Sequence, residues 1–508
     1  MTITPDNLRL ILGLKVKSLR QGRNESLSEL AKRSSISISY LSEIENGRKY
    51  PKPDVLLRLA EGLGVGYDEL VSAQLGGELD GLKPLFHSDF LQEFPFELFG
   101  VDVAQLLGLV SDDPLKAAAF LQTFLEIGRS YDVNVEQFLF AALRSYQRLH
   151  DNYFPELEMA AAEYRRGRDW GTGNPGPLRL RRELEEEHGY VIDDRTLARD
   201  PELSGLRTVF LEGEPPRLMV HPSLSPAQQA FVFGRELGFR VLGLHPRPET
   251  SSWVRVESFD EILNNFKASY FSGALLIEEE ELVEALEGLF RRKRWDPAAY
   301  LEIMERFETT PETFAYRVSQ LLPARMGISR LYFMRFQNVV GSPDYQLTKV
   351  LNLSGVATPR GVGSREHYCR KWVALRLLQE IGERGDSAGS GPVPDLRGER
   401  AHFAPEGVEF FVISAARPLF LQEGANTCIT LGLLMDDAFR ERVRFWDDPG
   451  IRRRQVGLTC ERCPMTSEEC GVRVAAPTIL QAERLRERRL AALELLRERR
   501  PEPAPAQG

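Results

Sequence analysis

The chain has 508 residues, of which 42% are hydrophobic and 27% are charged, and its formal net charge is −9. This balance is typical of a soluble globular protein, and at roughly 150 residues per domain the length predicts about three domains. No segment approaches the roughly 20 consecutive apolar residues that a membrane span requires, and the N-terminus lacks the pattern of a secretory signal. We therefore expect a cytoplasmic protein without a membrane partner.

Residues 1–75 are predicted to form an all-α domain. Ser26 and Glu29 have the spacing of a capping box at a helix start, and Ser37 can cap a second short helix that ends at Asn46. Two short helices joined by a tight turn form a helix-turn-helix, whose second helix enters the major groove of DNA. This domain contains 11 Lys and Arg residues against 9 Asp and Glu residues, so it is positive although the whole chain is acidic.

The predicted DNA-binding residues fall into two groups. The first should face base edges or phosphates: Ser28, Ser37, Ser39, Tyr40, Ser42 and Glu43. The second should hold the phosphate backbone, which sets affinity rather than sequence choice: Arg20, Lys32, Lys49 and Lys52. The segment from Glu29 to Val65 resembles the Cro/repressor-like (XRE) family of helix-turn-helix domains. The alternative interpretation is a small helical bundle that packs against another element.

Residues 80–165 have an almost continuous helical pattern and are expected to connect the domains or to form a dimer interface. Aromatic residues such as Phe120, Phe124 and Phe138 recur there, and we interpret them as helix-packing core rather than as a ligand pocket. The Gly and Pro residues of Arg165–Pro177 indicate a linker after this region.

Residues 178–310 contain a predicted strand hairpin and then an apolar helix with the sequence FVFGRELGFR. This helix resembles that of the ImmA/IrrE-type peptidase-like family, in which His-Glu-x-x-His holds Zn²⁺ and the glutamate is the base. Here Arg235 and Phe239 stand at the histidine positions and only Glu236 remains, while Lys267 replaces a later carboxylate ligand. We therefore expect a degenerate zincin-like α+β domain and no enzymatic activity. The alternatives are a protease that cuts a repressor and an antitoxin-like interaction protein.

Residues 320–478 alternate predicted strands with a helix and a flexible insertion at 382–400, which indicates an α+β sensory domain. The candidate metal ligands are four cysteines: Cys369, Cys460, Cys463 and Cys470. Cys428 lies in an apolar strand and is expected to be a buried hydrophobic residue. A thiolate set of this kind suits Zn²⁺ or a [4Fe–4S] cluster, and free thiols in a surface loop are the alternative. Residues 479–508 are predicted to form a charged, solvated helix and a disordered tail.

The complete order of these regions resembles the short-chain fatty acyl-CoA regulator family. Cys369–Trp372 is similar to a C-P-x-W motif of that family, and Cys470 with Arg473 is similar to its closing element. The resemblance implies a transcriptional regulator that binds double-stranded DNA, senses a short-chain acyl-CoA and carries an iron–sulfur cluster on its four cysteines. We expect it to be a homodimer or a higher homo-oligomer.

Overall fold

The computed structural model of the protein describes residues 5–72, 135–168, 170–250, 256, 258–356, 366–384, 394–403, 407–419, 421–422 and 424–498. The chain forms two compact units, Met1–Tyr146 with Val256–Ile262 and Gln147–Arg255 with Leu263–Gly508. The predicted fold class, an all-α helix-turn-helix head followed by α+β regions, is confirmed. None of the helices in the described ranges is long and apolar enough to cross a membrane.

Within residues 5–72 the chain forms five helices: α1 (Pro5–Gly22), α2 (Leu27–Arg33), α3 (Ile38–Glu45), α4 (Pro53–Leu63) and α5 (Tyr67–Val71). Their apolar faces share one core, which includes Leu12, Val16, Leu30, Leu41, Ile44, Leu59 and Leu63. Helix α1 approaches α3 closely at Gly13, where a Cβ atom would lie only 2.6 Å from the Ile44 carbonyl oxygen. The absence of a side chain at this position therefore permits the contact between the two helices.

The predicted helix caps in this domain are confirmed. The Ser26 N–H donates to Glu29 Oε2 at 2.7 Å, and Ser26 Oγ accepts from the Glu29 N–H at 3.3 Å. Ser37 Oγ accepts from the Tyr40 N–H at 3.2 Å. Because these side chains satisfy donors that the helices themselves leave free, they determine where α2 and α3 begin.

Only the end of the predicted helical connector is described. It forms α6 (Val135–Leu149) and α7 (Pro155–Gly167), whereas Phe120, Phe124 and the rest of 73–134 lie outside the described residues.

The peptidase-like region consists of a small sheet and several helices. Its elements are α8 (Gly176–Glu186), β1 (Val191–Asp193), α9 (Thr196–Arg199), β2 (Thr208–Leu211), β3 (Arg217–Val220), α10 (Pro226–Val241), α11 (Phe259–Leu276), α12 (Glu279–Phe290), α13 (Pro297–Arg306) and α14 (Pro311–Met326). The strand order is β1-β3-β2, with β3 parallel to β1 and antiparallel to β2. The predicted hairpin is therefore present as β2 and β3, and α10 follows it.

The C-terminal region contains a six-stranded sheet in the order β5-β4-β8-β7-β6-β9. Its elements are β4 (Leu331–Val339), β5 (Gln346–Asn352), α15 (Val373–Arg384), β6 (Asp395–Phe403), β7 (Val408–Pro418), β8 (Ala425–Leu434), α16 (Asp437–Arg442), β9 (Arg453–Val456), α17 (Ser467–Cys470) and α18 (Thr478–Glu498). Neighbouring strands are antiparallel, except that β9 is parallel to β6.

Strand β6 corrects one prediction. Asp395–Arg400 was expected to belong to a flexible insertion, but these residues pair with β7 along one edge, and β9 joins the other edge. Their polar sequence conceals the strand, because pairing with β7 satisfies the backbone without requiring a continuous apolar run.

The peptidase-like and C-terminal regions share one hydrophobic core. It joins residues of the helices to residues on one face of the large sheet, among them Leu237, Phe271, Leu321, Phe411 and Leu431. Helix α14 also runs across the interval between 310 and 320, where the sequence analysis places a boundary. The other face of the sheet packs against α15, with a second core that includes Phe336 and Trp372.

Candidate DNA interface and degenerate metal site

The turn between α2 and α3 is held in a defined geometry. Ser35 has a φ of 54°, in the left-handed region that side chains rarely adopt. Arg58 Nη1, from α4, donates to the Ser35 carbonyl oxygen at 2.9 Å. The sequence gives no sign of this role of Arg58, because the contact joins α4 to a turn residue 23 positions earlier in the chain.

The six residues predicted to face DNA all reach the surface. Ser28, Ser37 and Ser39 are exposed, whereas Tyr40, Ser42 and Glu43 are half-buried. On α3, Ser39 and Glu43 lie opposite Leu41 and Ile44, which are fully buried, whereas Tyr40 packs against the edge of the core. Helix α3 therefore presents a polar face outward from a rigid apolar core.

Lys49, just after α3, is tied to that polar face. Its Nζ atom lies 2.7 Å from Glu43 Oε2 and 5.7 Å from the centre of the Tyr40 ring. The hydrogen bond with Glu43 raises the pKa of Lys49, so the amine is charged at neutral pH. Tyr40, Glu43 and Lys49 thus form one polar group beside the helix.

Arg20 does not fit the predicted contact with the phosphate backbone. Its side chain is buried, and its Nε and Nη2 atoms donate to the two Glu45 carboxylate oxygens at 2.7 and 2.9 Å. A guanidinium that is buried and paired in this way stabilises the domain rather than facing a phosphate. Lys32, Lys49 and Lys52 are exposed, so their assignment to phosphates stays a prediction.

In the degenerate metal site, the cation beside Glu236 is the Arg247 guanidinium. Glu236 is completely buried, and Arg247 Nη2 donates to both of its carboxylate oxygens at 2.8 and 2.7 Å. The Arg247 guanidinium lies 3.6 Å from the centre of the Phe210 ring and 4.0 Å from that of Phe239. Phe239, which stands at one of the two histidine positions of the zinc motif, therefore stacks on the Arg247 guanidinium. Sequence reasoning missed Arg247, because no motif marks it in the segment after α10.

This site does not fit a zinc ion. Arg235, Phe239 and Lys267 offer no metal-binding atom, and both oxygens of Glu236 accept from Arg247. Among the described residues, no group of three or more His, Cys, Asp and Glu side chains is placed to hold a metal ion. The carboxylate that would act as base in a zinc peptidase is thus held in an ion pair.

The four candidate cysteine ligands are buried and form no disulfide bond, and some of them lie close to one another. Cys369 Sγ accepts from the Gly457 N–H at 3.4 Å, and a Cβ atom at Gly457 would lie 3.4 Å from Cys463 Sγ. Cys470 packs with Cys463 in a small cluster. Burial raises the pKa of Cys369 to about 11. The metal centre on these four cysteines stays a prediction. Cys428 is fully buried in β8, as expected.

Two known domain families match parts of the chain. A helix-turn-helix domain family matches residues 11–73, and an IrrE N-terminal-like domain family matches residues 192–319. A protein of Sinorhizobium fredii, named as an uncharacterized HTH-type transcriptional regulator, is 36% identical over 66 residues, which are 13% of this chain and 86% of that protein. A Mycobacterium tuberculosis transcriptional regulator of known structure has 19% identity and a TM-score of 0.45, and the match covers 66% of this chain and 93% of the other.

The capped helix pair, its outward polar face and its basic flanks define a DNA-binding protein of the helix-turn-helix class. The chain belongs to the HTH-type transcriptional regulators, and it also contains an IrrE-like region.

Proposed function

We propose that the protein is a sequence-specific transcriptional regulator that responds to a short-chain acyl-CoA or a related metabolite. The observation that carries the DNA-binding part is the capped helix α3, whose polar face points away from a closed apolar core. The metabolite is proposed from the order of the regions, which resembles the short-chain fatty acyl-CoA regulators.

In this proposal α3 enters the major groove. Ser39, Tyr40 and Ser42 contact base edges or phosphates, and the Glu43 carboxylate can accept from a cytosine amino group. Lys49 would exchange its ion pair with Glu43 for a phosphate. We also propose a homodimer, because two-fold symmetric proteins of this class read two half-sites one helical turn apart.

We further propose that the peptidase-like region has a regulatory rather than a hydrolytic role. The IrrE-like match favours a peptidase as the second candidate function. The ion pair between Glu236 and Arg247 supports the non-enzymatic alternative, since it holds the carboxylate that would activate water.

A metal centre on Cys369, Cys460, Cys463 and Cys470 is also part of the proposal. Four thiolates would supply the negative charge that Zn²⁺ or a [4Fe–4S] cluster requires. Iron and zinc analysis of anaerobically purified protein distinguishes these two alternatives.

Replacement of Lys49 and Lys52 by Ala tests the DNA interface. We expect weaker binding to all duplexes alike and a slope of log affinity against log salt that is shallower by about 2, because each phosphate contact contributes roughly 0.9 to that slope. Fluorescence anisotropy should use promoter fragments found by genome-wide mapping of bound sites, together with an unrelated duplex. The Lys293→Ala variant, which changes an exposed residue of the second unit, is the matched control. Binding that is unchanged in the double variant would exclude these lysines as phosphate contacts.

A further inference from the structure

A series of cations runs from the degenerate metal site to the large sheet of the second unit. Arg235 Nη2, on α10, donates to Thr208 Oγ1 at 3.2 Å, and Arg207 directly precedes Thr208 at the start of β2. On the sheet, Arg335 of β4 is the register partner of Lys349 of β5. We call Arg235, Arg207, Arg335 and Lys349 the basic track.

A single carboxylate serves the sheet end of the basic track. Glu312 accepts from Arg335 Nη1 at 3.1 and 3.0 Å and from Lys349 Nζ at 3.3 Å. Burial and repulsion from Arg335 lower the pKa of Arg207, whereas attraction to Glu312 opposes the shift. Burial likewise lowers the pKa of Lys349 although Glu312 opposes the shift. Within the described residues, Glu312 therefore interacts with Arg335, Lys349, Arg207 and Arg417, which leaves a surplus of positive charge.

At the other end of the basic track, near the degenerate metal site, two guanidinium N–H donors of the described residues lack acceptors. Within the described part of the chain, the buried Nε atoms of Arg235 and Arg247 have no hydrogen-bond partner. Burial lowers the pKa of Arg235 to about 10; attraction to Glu236 opposes this shift, and repulsion from Arg247 and Arg207 adds to it. Buried donors are normally satisfied, so these atoms suit an acceptor that the protein itself does not provide.

The cations on the sheet are held in position and reach solvent. The register of β4 and β5 shifts between Arg335 and Phe336, and Arg335 Nε donates to Thr348 Oγ1 at 2.8 Å. Irregularities of this kind redirect side chains and occur next to functional sites. Lys349 Nζ lies 4.0 Å from the centre of the Tyr316 ring. The Arg335 and Lys349 side chains are 21% and 38% exposed, so a solute can reach them.

We propose that the basic track binds a small molecule that carries more than one phosphate group. Guanidinium groups form paired hydrogen bonds with phosphate oxygens, and lysine adds a point charge. Cations distributed along a track suit phosphates at separate places in one molecule, as in coenzyme A and its thioesters. This inference rests on the proposed metabolite response and assigns the site at which the metabolite binds.

Calorimetric titration of the full-length protein with coenzyme A, adenosine 3′,5′-bisphosphate and inorganic pyrophosphate tests the proposal. We expect the double variant R207Q/K349Q to bind coenzyme A at least tenfold more weakly than the wild type. The variant K293Q, which changes an exposed lysine away from the track, should bind it as the wild type does. The variant E312Q removes the competing carboxylate and should bind it several-fold more tightly. These opposite signs separate the loss of a site from a failure to fold.

The probes also distinguish the source of the phosphates. Binding of pyrophosphate alone supports a free phosphate compound, whereas binding of the bisphosphate or of coenzyme A supports a nucleotide. The proposal is overturned if no probe binds at low salt, or if R207Q/K349Q binds coenzyme A as tightly as the wild type. If duplex DNA displaces coenzyme A from the wild type, and this competition depends on the track residues, the basic track is a nucleic-acid surface and the proposal is overturned.

Promoter binding, measured on the same samples, separates this inference from the proposed function. Promoter binding without binding of any probe contradicts the basic track and the metabolite response but leaves the DNA-binding function intact. Coenzyme A binding that survives in R207Q/K349Q supports the metabolite response and places its site elsewhere.

Discussion

Arg20 and Glu45 show how the position of a charge determines its role. The two side chains are buried between α1 and the end of α3, and Arg20 donates two hydrogen bonds of 2.7 and 2.9 Å to the Glu45 carboxylate. Arg20 also donates to the Glu25 carbonyl oxygen at 2.7 Å. The pair therefore fixes α3, and with it the polar face, relative to α1.

The Arg20→Ala variant should destabilise the N-terminal domain by about 3–5 kcal/mol, because it leaves the Glu45 carboxylate buried without a partner. Urea unfolding followed by circular dichroism measures the change. Lys32→Ala, at an exposed position, should stay within about 0.5 kcal/mol of the wild type. If Arg20→Ala is as stable as the wild type and its DNA binding depends less steeply on salt, Arg20 is a phosphate contact after all.

Arg247 stands near the position of a lost metal ion but has different chemistry. Its guanidinium pairs with Glu236 and stacks on Phe210 and Phe239, so it neutralises the buried carboxylate. A guanidinium has no open coordination position and does not lower the pKa of a bound water, as a catalytic zinc ion does. The ion pair therefore compensates the buried charge of Glu236 through a side chain of the protein itself.

At the scale of elements, helices α10 and α11 pack through small residues. A Cβ atom at Gly234 would lie 2.6 Å from Ser272 Oγ, and one at Gly238 would lie 2.9 Å from the Ala268 carbonyl oxygen. Ser272 Oγ also donates to the Phe231 carbonyl oxygen at 2.8 Å. The two helices are therefore too close for larger side chains at these positions.

The Gly238→Ala variant should destabilise the second unit by about 1–3 kcal/mol, because the backbone of α11 must move to accept the new methyl group. Gly288→Ala is the matched control, since Gly288 is an exposed helical residue with no atom within 4 Å of a new Cβ. It should stabilise the protein by about 0.5–1 kcal/mol through helix propensity. Thermal denaturation compares the two variants, and destabilisation of equal size in both would contradict the packing argument.

Glu312 links the peptidase-like helices to the large sheet within the second unit. Burial by itself would raise the pKa of its carboxyl group, but Arg335, Lys349 and Arg207 lower it well below its usual range. A carboxyl group whose pKa is lower in the folded state stabilises the protein above its unfolded pKa of about 4.3. This stabilisation is lost as the pH falls through the lower, folded value.

The stability of the second unit should therefore decrease as the pH falls below about 4.5. In Glu312→Gln this decrease should be shallower, since one proton contributes at most about 1.4 kcal/mol per pH unit. Urea unfolding between pH 3 and 7 measures it. Glu284→Gln, at an exposed position of α12, should follow the wild-type curve, and identical curves for all three proteins would exclude a contribution from Glu312.

The amino-acid sequence by itself determined the helix-turn-helix. Its caps at Ser26 and Ser37, its apolar spacing and its turn depend on residues a few positions apart, so they can be recognised without tertiary information. Most strands of the large sheet were predicted for the same reason. Only the folded chain shows that Arg20 faces inward, that β6 is a strand, that Arg247 pairs with Glu236 and that Arg335 and Lys349 meet at Glu312. Burial and charge pairing decide these features, because both depend on segments that are distant in the chain and meet only after folding.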